Sequence, residues 1–176
     1  MKRRVVVVAL GGNAILQPGE KPTISAQFRN TLKAMESLLS LIKGSNVVIT
    51  FGNGPQVGSI MIRVEEALKK TYSIPLEVGV AESEGEMGYM IEQCLINVLN
   101  KHRIRKRVLS VLTQVIVDKK DYSFNHPSKP IGPFYTRQQA EILKNKGFHV
   151  MEDAGRGYRK IVPSPKPKEI VEAKTI

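Results

Sequence analysis

Residues 3–10 carry an unbroken apolar run, Val5, Val6, Val7, Val8, Ala9 and Leu10, that stops at Gly11 and Gly12. Continuous rather than alternating apolarity predicts a strand covered on both faces, as in parallel sheets. The period then changes. Leu32, Met35, Leu39 and Ile42 recur at three- and four-residue spacing, which predicts a helix, and Gly44 stands where a helix should end. Residues 46–50 form a second short β run, followed at once by G-N-G-P-Q-V-G at 52–58. Val57, Ile60, Met61, Val64 and Leu68 make the next helical stripe, and Met87, Ile91, Cys94, Leu95, Val98 and Leu99 another. Residues 108–117 are the third strong β run. Strand and helix alternating at this spacing predict an α/β fold with a largely parallel sheet.

Residues 119–136 break the rhythm. They hold Pro127, Pro130 and Pro133 and no periodic apolar pattern, so they read as a long loop, a class that is usually functional or disordered. Residues 138–146 predict a short helix closed by Gly147, and 148–151 a strand. P-S-P-K-P-K at 163–168 reads as an extended connector, and 169–176 as the start of a helix. No internal repeat is visible.

Composition narrows the class. The 176 residues allow one ordinary domain or two very small ones, and 41% hydrophobic with 24% charged residues is the balance of a soluble globular protein. A single cysteine, Cys94, excludes an internal disulfide framework and a four-cysteine zinc site, and the three separated histidines predict no metal centre. The basic start, Met1 to Arg4, followed by an apolar run imitates a secretory signal, but glycines follow in place of a small-residue cleavage site. The run is also too short to span a bilayer. A cytoplasmic protein with no membrane partner is expected.

The formal charge is +11, from 27 Lys and Arg against 16 Asp and Glu. Its densest block is Lys101, His102, Arg103, Arg105, Lys106 and Arg107. No aromatic residue interleaves with it, so a stacking platform for single strands is not supported. The favoured reading is a solvated connector, and nucleic acid is disfavoured as a partner. A positive field also attracts small anions.

The chemistry concentrates at two turns, Gly11-Gly12-Asn13-Ala14 and Gly52-Asn53-Gly54. In a parallel sheet both lie at the carboxyl edge, where open α/β folds bind ligands. Glycine lets backbone N–H groups approach an anion closely, and Asn13 and Asn53 add amide donors. Neither turn is a known nucleotide fingerprint. There is no G-x-x-x-x-G-K-[ST], and Gly52, Gly54 and Gly58 are one residue too widely spaced for G-x-G-x-x-G. Each turn alone reads as a tight connection. Both together, each directly after a strand, point to a phosphate or small-anion site. Cys94 lies on an apolar stripe and reads as core. His126 and His149 have no acid or nucleophile at motif spacing. Electrostatic rather than covalent catalysis is therefore expected, with lysines as charge stabilisers. Lys129, between Ser128 and Pro130 in the proline-rich excursion, is the lysine singled out.

A-L-G-G-N-A at 9–14 and G-N-G-P-Q-V-G at 52–58 resemble carbamate kinases of the amino-acid kinase family. Further segments agree in order: A-x-S-x-G-x-x-G-Y from Ala81, T-Q-x-x-V-D from Thr113, S-K-P-I-G-P-F-Y from Ser128, and E-D-A-G-R-G-Y-R from Glu152 running into V-P-S-P at Val162. The resemblance spans the chain. It implies a three-layer α/β/α sandwich with a mainly parallel sheet and a small protruding subdomain that contains residues 119–136. It implies reversible phosphoryl transfer, ATP plus carbamate giving ADP plus carbamoyl phosphate, with Mg2+, in a homodimer. Gly11, Gly12 and Asn13 would face the phosphoryl group in flight. Gly52, Asn53 and Gly54 would hold the carbamate, and Lys129 would reach the transferred group.

The chain also departs from that family. Carbamate kinases are nearly twice as long, and residues 1–176 correspond to the acceptor-binding part. The nucleotide-binding part would follow Ile176. Phe51 stands where a histidine is usual before G-N-G, and Glu82 and Glu84 replace Met and Gln of A-M-S-Q-G. Ser83 with Glu86 has the S-x-x-E spacing of a capping box. Half a sheet should leave apolar surface exposed. The alternative expectation is thus a catalytically inactive, truncated remnant that binds a small anion or completes another chain's sheet.

Overall fold

A computed structural model describes residues 4–17 and 19–174; the charged start at Met1–Arg3 and the last two positions lie outside the described residues. Contacts group the chain into two units, Met1–Asn53 with Glu84–Val111, and Gly54–Ser83 with Leu112–Ile176. The class is mixed α/β, with three small sheets among the described residues.

The first unit is built on two parallel strands, β1 (Val5–Leu10) and β2 (Asn46–Phe51), paired in register from Val5 opposite Asn46 to Leu10 opposite Phe51. Between them run helices α1 (Ile24–Ser37) and α2 (Leu39–Gly44). The sequence reads these as one helix, but the chain breaks at Leu38. The Thr23 hydroxyl caps α1 by accepting from the Ala26 N–H at 3.2 Å. Gly44 is the last helical residue and has no left-handed φ; Ser45, extended, ends the helix.

Later the unit takes residues 84–101 of the long helix α4 (Leu76–Lys101). The helix starts well before its apolar stripe. Ser83 lies inside it, fully buried, its hydroxyl donating to the Val80 carbonyl, so the capping box is not formed. Met35 and Ile42 pack with Ile91, Cys94, Leu95, Val98 and Leu99, against the half-buried Val47, Ile49 and Phe51. A second cluster joins Ile15, Met87 and Met90. Cys94 is core, as expected, and its burial raises the thiol pKa.

The strand run is not covered on both faces. Val6 and Val8 are half-buried, whereas Val5, Val7 and Val48 are exposed at 61%, 65% and 42%. A right-handed crossover lays its helices on one side of the strands it joins, and here one side is what the helices cover. The other face of the strand pair is left apolar and open.

The second unit contains α3 (Gly54–Ala67) and two antiparallel sheets. One pairs β3 (Val115–Val117) with β7 (Pro167–Ile170); the other orders β4 (Lys129–Tyr135), β6 (Tyr158–Val162) and β5 (Val150–Glu152) as β4-β6-β5. Helix α5 (Arg137–Asn145) carries the capping box that the chain does use, with Thr136 and Gln139 exchanging backbone-to-side-chain bonds of 2.9 and 3.3 Å. Gly147, at φ +86°, closes it.

Three readings change here. Of residues 108–117 only Val115–Val117 is a strand, because 108–114 has no ladder partner and leaves Leu109 and Leu112 exposed at 72% and 54%. The proline-rich excursion is not irregular: it holds a short turn at Tyr122–Phe124 and then β4. Pro130 and Pro133 are tolerated because β4 is an edge strand whose register slips between Ile131 and Tyr135, around Gly132 at φ +73°. The terminal segment is strand β7 and one tight turn, Val171–Lys174, rather than a helix start.

Met87, 0% exposed against Ile15 and Met90, anchors the first unit. Met87→Ala is expected to cost about 2–5 kcal/mol in denaturant unfolding, the range for truncating a buried long apolar side chain.

Candidate functional site

The in-register pairing of β1 and β2 decides the geometry. Because Leu10 sits opposite Phe51, Gly11 and Gly52 leave adjacent strands at the same edge. Neighbouring strands are spaced by about 4.8 Å, so the two turns open side by side. Beyond Gly11 the chain makes a single tight turn, Gly12–Ala14, with the Ala14, Ile15 and Leu16 N–H groups donating back to the carbonyls of Gly11 and Gly12.

These glycines have no internal explanation. None of Gly11, Gly12, Gly52 and Gly54 has a left-handed φ, and a Cβ added to any of them meets nothing within 4 Å. Elsewhere glycine answers a local demand. Gly19, Gly132, Gly147, Gly155 and Gly157 have positive φ, and Gly58, Gly79 and Gly88 have neighbours at 3.0 Å from where a Cβ would stand. Gly44 and Gly85 are also unconstrained, but each stands alone on a helix. Only at the strand tips do unconstrained glycines cluster, and there they keep backbone open to whatever approaches from outside.

The turns are held from behind. Ile15, 1% exposed, is locked between Met87 and Met90. The buried Asn30 donates its Nδ2 to the Ile15 carbonyl at 3.1 Å and to Glu20 Oε2 at 2.5 Å, and Arg29 pairs with the same carboxylate. Asn30 first and then Arg29 hold the Glu20 carboxyl below the usual range. Met87 stands on the apolar stripe read from the sequence, whereas Asn30, Ile15 and Met90 escape that reading; a polar residue such as Asn30 on an amphipathic helix gives no sign of being buried. Phe51, where a histidine is usual, is half-buried and packs into both apolar clusters. The side chain of Asn13 lies outside the described part of the structure; Asn53 is half-buried.

Lys129 and Gly54 belong to the second unit. Gly54 opens α3, with Pro55 next, which suits a helix start because its missing N–H would be unpaired there. Lys129 is exposed and begins β4, opposite Val162 of β6. The E-D-A-G-R-G-Y-R segment makes the β5–β6 hairpin turn, where Asp153 pairs with Arg156 at 2.9 Å and Arg159 at 3.3 Å. Arg159 Nε also donates to the Gly132 carbonyl at 3.2 Å, tying the turn to β4.

Arg156 first and then Arg159 hold the Asp153 carboxyl below the ordinary value. A depressed carboxylate stabilises the fold above its unfolded pKa, and that contribution is lost as pH falls through the folded one. Acidification below about pH 4 is therefore expected to lower the protection of the β5 and β6 amides relative to the unfolded chain at the same pH. Asp153→Asn should remove that pH dependence.

The basic block is partly absorbed by structure. Lys101 and His102 both reach Glu36, at 2.7 and 3.2 Å, and Lys106 donates to the Ser45 carbonyl. A surface cleft of about 470 Å³ on the first unit is lined by Tyr89, Glu92, Gln93, Ile96, Asn97 and Ser110, none of them a candidate residue. Among the described residues no group of three His, Cys, Asp or Glu converges to hold a metal ion, and no helix is long and apolar enough to cross a membrane.

No protein-family model matches the chain. Individual proteins do. A carbamate kinase of Pyrococcus horikoshii is 49% identical over 175 residues, which are 97% of this chain and 56% of that protein. Among solved structures, a carbamate kinase from Giardia lamblia bound to citric acid superposes with a TM-score of 0.90 at 42% identity, covering 99% of this chain and 57% of that one. The same enzyme bound to AMP-PNP gives 0.84 at 43% identity, covering 99% and 56%. The chain spans about half the length of the relatives it matches. In sequence and in fold the chain corresponds to the amino-terminal portion of carbamate kinases.

Proposed function

We propose that this chain forms the acceptor-binding part of a carbamate kinase, acting in the cytoplasm on carbamate or carbamoyl phosphate. The observation that carries the reading is the pair of unconstrained glycine turns at adjoining strand tips. Carbamate is a small planar anion, and aimed backbone N–H groups are what such an anion needs. In this reading Gly52, Asn53 and Gly54 hold carbamate, Gly11, Gly12 and Asn13 face the phosphoryl group, and Lys129 neutralises it.

The reaction makes a bond between a carbamate oxygen and the γ-phosphorus of ATP as the bond from that phosphorus to the ADP oxygen breaks. Five negative charges stand on each side, and no proton is transferred. Catalysis of this kind rests on positioning and on positive charge at the equatorial oxygens rather than on a general base. ATP or ADP and its magnesium ion would be bound by the part of a carbamate kinase that this sequence does not span.

A coupled assay of ATP formation from carbamoyl phosphate and ADP tests the reading. Turnover by purified chain supports catalysis by these residues alone. Saturable carbamoyl phosphate binding without turnover supports the acceptor-site role only. Absence of both binding and turnover overturns the proposal.

A second reading has its own observation. Val5, Val7 and Val48 leave one face of the strand pair open. That favours a chain completed by a partner, whether a second copy or a separate polypeptide, with anion binding kept and catalysis lost. A monodisperse monomer that binds no hydrophobic dye would reject it.

A further inference from the structure

The second unit contains a joint that the proposed chemistry does not by itself require. A Cβ at Gly58, in the first turns of α3, would stand 3.0 Å from both the Cα and the N of Gly132 on β4. Helix and strand backbones therefore touch with no side chain between them. At the strand side the contact falls on Gly132, the residue around which the β4 register slips, at φ +73°. A few residues along α3, Glu65 pairs with Lys160 of β6, the partner of Ile131 in the β4–β6 ladder. Lys160 is 6% exposed, and its ammonium lies 4.0 Å from the centre of the Phe148 ring. A buried lysine is costly unless paired, so this ion pair ties β6 to α3, with the Phe148 ring covering the ammonium.

The strand seated in this way is the one that begins with Lys129, and the helix is the one that begins with Gly54. We propose that Gly58 and the Glu65–Lys160 pair are positioning residues for Lys129, seating the β4–β6 strand pair on α3 so that this lysine is presented from a fixed base. The proposal rests on the role given to Lys129 above. It explains the last glycine of G-N-G-P-Q-V-G by close packing rather than by contact with an anion. Gly58→Ala forces the β4 backbone to give by a few tenths of an ångström. Lys160→Met leaves Glu65 without its cation while keeping an apolar chain of similar length against Phe148.

The test uses the whole chain with Gly58→Ala, Lys160→Met, Lys129→Ala and the double variant Gly58→Ala with Lys129→Ala. Amide exchange is followed in β4 and β6, and carbamoyl phosphate affinity is titrated. Gly58→Ala and Lys160→Met should each speed exchange in β4 and β6 by about tenfold, as a local opening, with β1 and β2 unchanged. Both should weaken carbamoyl phosphate binding, and in the double variant Gly58→Ala should add little to the loss from Lys129→Ala, because a seat is worth nothing without its occupant. Unchanged β4 exchange in both single variants overturns the joint, whatever Lys129→Ala does. Faster exchange with affinity unmoved, while Lys129→Ala does weaken binding, overturns the positioning role. Lys129→Ala without effect on affinity overturns the reading of that lysine and the proposal with it, and the exchange data then describe a packing joint alone. Lys160→Met keeps the test decisive if Gly58→Ala fails to fold.

Discussion

Replacing Lys129 by alanine is expected to lower carbamoyl phosphate affinity by about 10–100-fold, the worth of a hydrogen bond to a charged group. Wherever turnover is measurable, it should lower kcat by a further factor of about 10²–10³, since charge develops on the transferred group during in-line displacement. Stability should hardly move, because the Lys129 side chain is exposed at the start of an edge strand. Lys129→Arg keeps the charge but replaces a compact ammonium with a planar fork, so it should recover only part of the loss. Calorimetric titration gives the affinity and the coupled assay gives kcat. An affinity within twofold of the unaltered chain would remove Lys129 from the site.

The second large effect concerns the strand tips. Gly11 is extended, at φ −72° and ψ 159°, and Gly52 has no left-handed φ, so valine fits the backbone at either place. A Cβ at each meets nothing within 4 Å of the protein. Gly11→Val and Gly52→Val are therefore expected to shift the melting temperature by no more than about 2 °C, as surface substitutions do. The same side chains would occupy the space through which an anion reaches the backbone N–H groups, and each should cost carbamoyl phosphate about a hundredfold in affinity, near 2.7 kcal/mol. Large instability with binding retained would mean that the glycines serve the turn and not a ligand.

Much of this was legible in the residues, and the reasons differ from place to place. Periodicity found the helices but not their starts: α1 begins at Ile24, well before Leu32, which is exposed, and α4 begins at Leu76, well before Met87. It missed the break at Leu38, which no proline or glycine marks. The glycine turns were legible because they follow directly on apolar runs. What favours the proposed ligand site over a tight turn is the empty space around Gly11, Gly12, Gly52 and Gly54, of which the sequence gives no sign.

The proline-rich excursion misled because proline argues against a strand in general, whereas β4 is an edge strand with a slipped register. The run at 108–117 misled in the opposite sense. Its β character is strong, but strands need partners, and only Val115–Val117 has one, in β7. Lys129 was visible as a candidate from its setting and the family resemblance. Of the residues proposed to seat its strand, Gly58 and Glu65 share α3 but Lys160 is distant in sequence, and no shared motif links them.

The central claim is that two adjoining strand-tip turns together grip one small oxyanion. Amide chemical shifts of labelled protein, followed while carbamoyl phosphate is added at constant ionic strength, test it most directly. The account predicts saturable shifts at Gly11, Gly12, Asn13, Gly52, Asn53 and Gly54 with one shared dissociation constant, abolished in Gly11→Val. Amides at these positions that stay still, or that move equally with sodium chloride, would contradict it.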